Sequence, residues 1–171
     1  MTTLLIGGTG NTGLALAKLL HAADHSFVLA SRSGSAPEPF TGKGVKFDWV
    51  DTSTHENPFK VSSDIDRVYM ILPLTVTLDD ATQIIAFVDL AKAKGVTKFV
   101  LLSGTAVSKG AYAHGKLWDY LDQIGVEYTI LRPTAFQGTS VLMSFPGPSL
   151  VLTGKSGIQR TLSTFLRLSR G

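Results

Sequence analysis

The residues Leu4-Leu5-Ile6-Gly7-Gly8-Thr9-Gly10-Asn11-Thr12-Gly13 constrain this chain more than any other stretch. The apolar run reads as a buried strand. From Leu14 onward Leu16, Leu19, Leu20 and Ala23 recur at helical spacing, so Gly7, Gly10 and Gly13 fall on a strand-to-helix turn. Such a turn is a phosphate cradle. Gly7 can take the dihedrals of a tight turn, Gly10 lets a pyrophosphate approach the backbone, and Gly13 lets helix and strand pack closely. Thr9 lies in the same turn, and the N–H groups and positive dipole end around Asn11 and Thr12 face the phosphates. The competing reading is a structural turn that holds no ligand.

A second apolar run, Phe27 to Ala30, ends at Ser31-Arg32-Ser33. In a dinucleotide fold this strand end meets the adenosine ribose, where an acid binds a free 2′-hydroxyl and a basic residue accepts a 2′-phosphate. Arg32 stands there without an acid beside it, and Ser31 and Ser33 add hydroxyl donors. The expectation is therefore NADPH rather than NADH. Gly34 to Gly44 is a punctuated loop, and Val45 to Trp49 a third strand ending at Asp51, which either approaches the adenine amine or caps a helix. Val68 to Pro73 is a fourth strand, apolar on both faces, whose carboxyl end at Pro73 lies beside the cofactor.

Asp79 and Asp80 open a helix with a stripe of Ala81, Ile84, Phe87, Val88 and Ala91, closed by Lys92, Lys94 and Gly95. Phe99 to Ser103 is strand five, Gly110 to Gly125 a helix with Leu117, Leu121 and Ile124 at i, i+4, i+7, and Glu127 to Leu131 strand six. Strands alternating with crossovers give an α/β fold, a doubly wound parallel (Rossmann) sheet ordered 3-2-1-4-5-6.

The chain has 171 residues and no cysteine, which excludes disulfides, thiolate zinc sites and cysteine nucleophiles; no metal site is expected. It begins on its first strand, without a leader or a membrane-spanning run, so a cytoplasmic protein is expected. The net charge of +3 belongs to the tail. Residues 1–150 carry 12 basic and 13 acidic side chains, which argues against a nucleic-acid partner.

The Gly-x-x-Gly-x-x-Gly spacing resembles the short-chain dehydrogenase superfamily in its extended and atypical branches. With Phe47-Asp48-Trp49, the Phe87 to Val96 helix, Phe99 to Ser103 and Leu131-Arg132-Pro133-Thr134, residues 1–136 are similar to the NmrA-like atypical short-chain dehydrogenases, and within them to the fungal ergot alkaloid dehydrogenases. The resemblance implies NADPH-dependent hydride delivery to the C=N carbon of a small-molecule cyclic iminium, giving a tertiary amine. It also implies roles for Tyr112-x-x-x-Lys116 and Ser103. Tyr112 is the general acid in carbonyl-reducing relatives, Lys116 lowers its pKa and holds the nicotinamide ribose, and Ser103 orients the substrate. Spacing of four puts Tyr112 and Lys116 on one helix face, provided the helix already includes residue 112.

Iminium reduction forms no alkoxide, so it can proceed without the tyrosine acid. The bland alternatives are a packed Tyr112, a surface Lys116 and a surface His114. NmrA-like proteins also include regulators that bind the cofactor without turning it over, so a silent dinucleotide sensor is the second reading. The resemblance stops after Phe136. Residues 137–171 read as an atypical, acid-free tail standing where relatives carry a substrate lobe, and the expectation is a shortened chain that lacks the last strand of the sheet.

Overall fold

The computed structural model describes residues 1–72 and 81–133, together with the backbone of Leu150–Gly154. Strand β1 (Thr2–Ile6) is buried at every position and pairs in parallel with β2 (Ser26–Ser31) on one side and β4 (Ile65–Ile71) on the other. Outward from these lie β3 (Gly44–Lys46) beyond β2, then β5 (Lys98–Leu102) and β6 (Glu127–Pro133) beyond β4. The parallel strands run in the order 3-2-1-4-5-6, as the sequence led us to expect. All six therefore end on one edge of the sheet, where such sheets bind their ligands.

The missing last strand is a correction. Strand β7 (Leu150–Gly154) pairs antiparallel with β6, with Leu150 opposite Pro133 and Gly154 opposite Thr129. The Ser- and Gly-rich composition around it hid a five-residue strand that is set by pairing to β6 rather than by its own pattern.

Helix α1 (Asn11–Ala22) packs on one face through Gly13, Leu16, Ala17 and Leu20. This stripe corrects the expected one, since Leu19 is exposed. The opposite face carries α3 (Thr82–Ala93) and α4 (Tyr112–Gln123) over the larger core, with Phe87, Phe99, Leu101, Leu117 and Leu121 fully buried. The Ala81, Ile84, Phe87, Val88 and Ala91 stripe is buried throughout. Asp79 and Asp80, expected to open that helix, lie outside the described residues, and Ala81 stands at its N-cap.

Strand β3 ends at Lys46, shorter than expected, but Phe47 and Trp49 beyond it are buried. Phe47 and Trp49 meet edge to face at 5.0 Å, and each meets the ring of Phe87 in the same way, at 5.0 and 5.4 Å. The crossover to β4 contains a 3₁₀ turn at Thr52–Thr54 and the short helix α2 (Asn57–Val61).

Candidate functional site

At the β1–α1 turn Gly7 has φ +77°, and a Cβ there would stand 2.9 Å from Cβ of Ile71. A Cβ on Gly8 would lie 2.7 Å from the Leu5 carbonyl oxygen, and one on Gly13 2.5 Å from Cα of Gly8. Glycine at these positions is required by the fold itself. Gly10 differs. Its φ of −79° and ψ of 170° suit any L residue, and a Cβ would meet only the Gly7 carbonyl, at 3.4 Å. The protein's own packing gives no reason for glycine there, whereas an incoming phosphate would.

The turn's amides divide in the same way. Gly7 and Gly8 N–H donate to the Ala30 carbonyl at 3.2 and 3.3 Å, and Gly10 N–H donates to Gly7 at 3.1 Å. Leu14 N–H, donating to Gly10 at 2.8 Å, is the first rung of the helix ladder. No partner among the described residues takes the N–H groups of Thr9, Asn11, Thr12 and Gly13, no side chain caps the helix, and its first turn holds no acid. The amino end of α1 thus carries unpaired donors and a positive dipole end.

One strand over, Arg32 follows the end of β2. It is exposed and has no ion pair among the described residues. Its turn is held by its neighbours: Ser31 Oγ donates to the Ser35 carbonyl at 3.1 Å, Ser35 N–H donates to Ser33 Oγ at 3.2 Å, and Gly34 takes φ +76°. With the Ser31 proton committed, the Ser33 hydroxyl proton goes either to Ser31, 3.4 Å away, or outward. Asp51 caps the 3₁₀ turn, accepting from Ser53 N–H at 3.1 Å and from Ser53 Oγ at 2.6 Å. That hydroxyl, more than any other contact, holds its carboxyl below the usual range. Of the two readings for Asp51, the helix cap is the one with a partner in place. Pro73 lies outside the described residues.

On the other side of β1, Ser103 follows β5 and extends its pairing, donating its N–H to the Leu131 carbonyl at 2.8 Å. Ser103 and Arg32 close the ends of strands three steps apart, about 14 Å at ordinary strand spacing, with the glycine turn between them. Helix α4 includes residue 112, the condition for the expected Tyr112–Lys116 face. Tyr112 opens α4 with φ +52°, in the left-handed region. It is also 52% exposed. His114 is half-buried rather than on the surface, and burial lowers its pKa from the usual histidine value.

Two residues took structural positions that local pattern did not disclose. His55 is 4% exposed, stacks on Phe47 at 5.0 Å, and lies 3.1 Å from the Asp48 carbonyl through Nε2; burial depresses its pKa. Arg132 reaches three carbonyls of the loop after β5. The available signal was an arginine in an apolar strand with no acid after Glu127.

A small cavity of about 50 Å³ opens at the opposite edge of the sheet, among Thr3, Leu20, Arg67, Lys98 and Glu127, remote from the glycine turn. Among the described residues no helix is long and apolar enough to cross a membrane, and no cluster of His, Asp and Glu could hold a metal ion.

Six parallel strands, a glycine turn and an uncapped helix start define a dinucleotide-binding Rossmann domain. The chain belongs to the NAD(P)H-binding family, whose profile matches residues 7–141. It is 42% identical over 142 residues to festuclavine synthase II of Penicillium roqueforti, covering 80% of this chain and 48% of that protein. It is 41% identical over 138 residues to agroclavine dehydrogenase of Claviceps purpurea, covering 80% and 47%. The chain thus spans about half the length of the curated relatives it matches.

Among solved structures, a short-chain dehydrogenase/reductase superfamily protein from Agrobacterium tumefaciens with bound NAD has a TM-score of 0.59 at 16% identity, covering 77% of this chain and 48% of that one. The Bordetella bronchiseptica enzyme WbmG in complex with NAD has a TM-score of 0.59 at 16% identity, covering 77% and 52%. These two establish the fold.

Proposed function

We propose that this chain is the NADPH-binding part of an oxidoreductase that reduces a cyclic iminium of the ergot alkaloid type to a product such as festuclavine or agroclavine. The names of the fungal relatives support the substrate class. The observation that carries the cofactor half is the amino end of α1, where Thr9, Asn11, Thr12 and Gly13 keep unpaired N–H groups beside a glycine that the fold does not need.

The residues present fit NADPH. Gly7, Gly10 and Gly13 shape the cradle, with Thr9, Asn11 and Thr12 donating to the diphosphate. Arg32 and Ser33 meet the 2′-phosphate, Asp51 lies on the adenosine side beyond β3, and Lys116 serves the nicotinamide ribose. When bound, NADPH supplies the hydride that converts the C=N carbon of an iminium to that of a tertiary amine. Because no alkoxide forms, no residue has to give up a proton to oxygen. The exposed, left-handed Tyr112 is compatible with such a reaction and ill suited to a carbonyl reduction that depends on it. The work left to the chain is to hold and orient the two reactants, with Ser103 on the substrate side.

The test is Gly10→Ala. Thermal stability should change by less than about 1 kcal/mol, because alanine suits the backbone there. NADPH affinity should fall at least about tenfold, because the added methyl occupies the phosphate approach. Unchanged affinity would remove the turn from the cofactor site. The exposure of Tyr112 also favours a second reading, a regulator that binds NADP(H) without turnover; saturable NADPH binding with no iminium reduction would select it.

A further inference from the structure

The segment between β5 and α4 is held from outside, by a side chain on the neighbouring strand. Arg132, in the last turn of pairing of β6, donates from Nη2 to the Thr105 carbonyl at 2.8 Å and to the Val107 carbonyl at 3.2 Å, and from Nε to the Gly104 carbonyl at 3.5 Å. Its guanidinium lies over the Trp118 ring of α4, 5.5 Å from the centroid. No carboxylate among the described residues pairs with it. A half-buried cation is therefore solvated by the carbonyls of one loop, a use the planar fork of arginine permits and a lysine ammonium does not reproduce.

The consequence is directional. In a trans peptide the N–H points opposite to the C=O, so drawing the Thr105 and Val107 carbonyls toward Arg132 turns the N–H groups of Ala106 and Ser108 away from it. The same loop begins at Ser103, which is bonded to Leu131, and ends at Gly110, whose N–H donates to the Gly115 carbonyl at 2.8 Å. At that far end Lys109 Nζ donates to Asp122 at 2.6 Å. Arg132 fixes the near half, which Lys109 does not reach.

We propose that Arg132 is a positioning residue: through the carbonyls of Gly104, Thr105 and Val107 it sets the shape of the β5–α4 loop, and so the placement of Ser103 and the start of α4 toward the nicotinamide end of the cofactor, without touching the cofactor itself. The second half of this statement rests on the cofactor reading above. Phosphate binding at α1 is left to other residues.

The test compares wild type with Arg132→Ala, Arg132→Lys and Arg132→Gln in the full chain, by amide hydrogen exchange and by NADPH titration. The titration follows both affinity and the emission of the bound nicotinamide ring. In Arg132→Ala, exchange over residues 104–111 should rise at least about tenfold, while that of residues 7–13 stays within about twofold, because opening is local. NADPH affinity should change by less than about threefold, since the diphosphate and adenosine ends are held elsewhere. Emission at saturating NADPH should nevertheless move toward that of the free cofactor.

Arg132→Lys restores the charge without the fork and should leave the loop open. If the alanine variant does not fold, Arg132→Gln, which keeps amide donors on a shorter stem, should give an intermediate exchange rate. Unchanged loop exchange in these variants, full rescue by lysine, or an opened loop with unaltered nicotinamide emission would each overturn the proposal. A wild-type chain that binds no NADPH overturns the cofactor reading and the nicotinamide half of this one, whereas the exchange comparison still decides the loop half.

Discussion

The β1–α1 turn and the near half of the β5–α4 loop lie on the same edge of the sheet, but they are held in opposite ways. The turn is fixed by backbone closeness: Gly7, Gly8 and Gly13 admit no Cβ, and the shape follows from what is missing. The near half of the loop is fixed by reach, with Arg132 spanning to it from β6, whereas its far end, like the turn, closes on a glycine: a Cβ on Gly115 would stand 2.2 Å from the Ser108 carbonyl oxygen. A part shaped by absent side chains can be broken only by adding atoms. A part shaped by long side chains can be loosened by removing one contact at a time. The turn is accordingly suited to a rigid anion site.

The largest effect should come from adding atoms to the turn. Gly13→Ala places a methyl against the backbone of Gly8, and overpacking of this kind costs about 1–3 kcal/mol. We expect a clear drop in melting temperature together with loss of measurable NADPH binding. If stability and binding separate here as they should in Gly10→Ala, the division between fold glycines and ligand glycine is wrong.

Next comes Arg32→Ala. On the proposed placement of Arg32 at the 2′-phosphate, NADPH affinity should fall by roughly tenfold or more while NADH affinity is nearly unchanged. Equal weakening of both, in parallel titrations, would detach Arg32 from that site. Stability should stay within about 0.5 kcal/mol, as for other exposed substitutions.

A smaller effect belongs to the far end of the loop. Tyr112 occupies φ +52°, a region that asparagine tolerates better than tyrosine. Tyr112→Asn should raise stability by about 0.5–1 kcal/mol in thermal melts, and Tyr112→Phe should leave iminium reduction within about threefold. A large loss of turnover in the phenylalanine variant would return Tyr112 to the chemistry.

The smallest expected effect is set by pH. Burial depresses the pKa of His114, in the first turn of α4, and of His55 in the aromatic cluster, below the ordinary value of 6.5. The folded state therefore favours the neutral rings. Their contribution to stability is complete above pH 6.5 and is lost as pH falls through the lower folded-state values. Melting temperature should decline below pH 6.5, and hydrogen exchange over residues 111–116 should rise before that over residues 7–13. Simultaneous opening of both regions would show that acid acts on the whole sheet and not on the His114 end.

The same contrast explains what the sequence disclosed. The turn was legible because its constraints are local, and a strand, four glycines and a helix follow one another within residues 2–22. The order of the six parallel strands followed from alternation and handedness. Arg132 was not legible as an anchor because its partners lie 25 to 28 residues away and carry no side-chain signature, only carbonyls. The left-handed φ at Tyr112 was not legible either, because its sequence neighbours carry no signal for it. Strand β7 escaped notice because its partner, β6, decides it.

The central claim is that the start of α1 grips the diphosphate of NADPH, and backbone amide NMR during a cofactor titration tests it most directly. Saturating shifts are expected at the N–H groups of Thr9, Asn11, Thr12 and Gly13, with smaller ones at Gly7, Gly8 and Gly10 and a weaker response to NADH. Saturable binding that leaves those four amides unmoved, or no response to either cofactor, would contradict it.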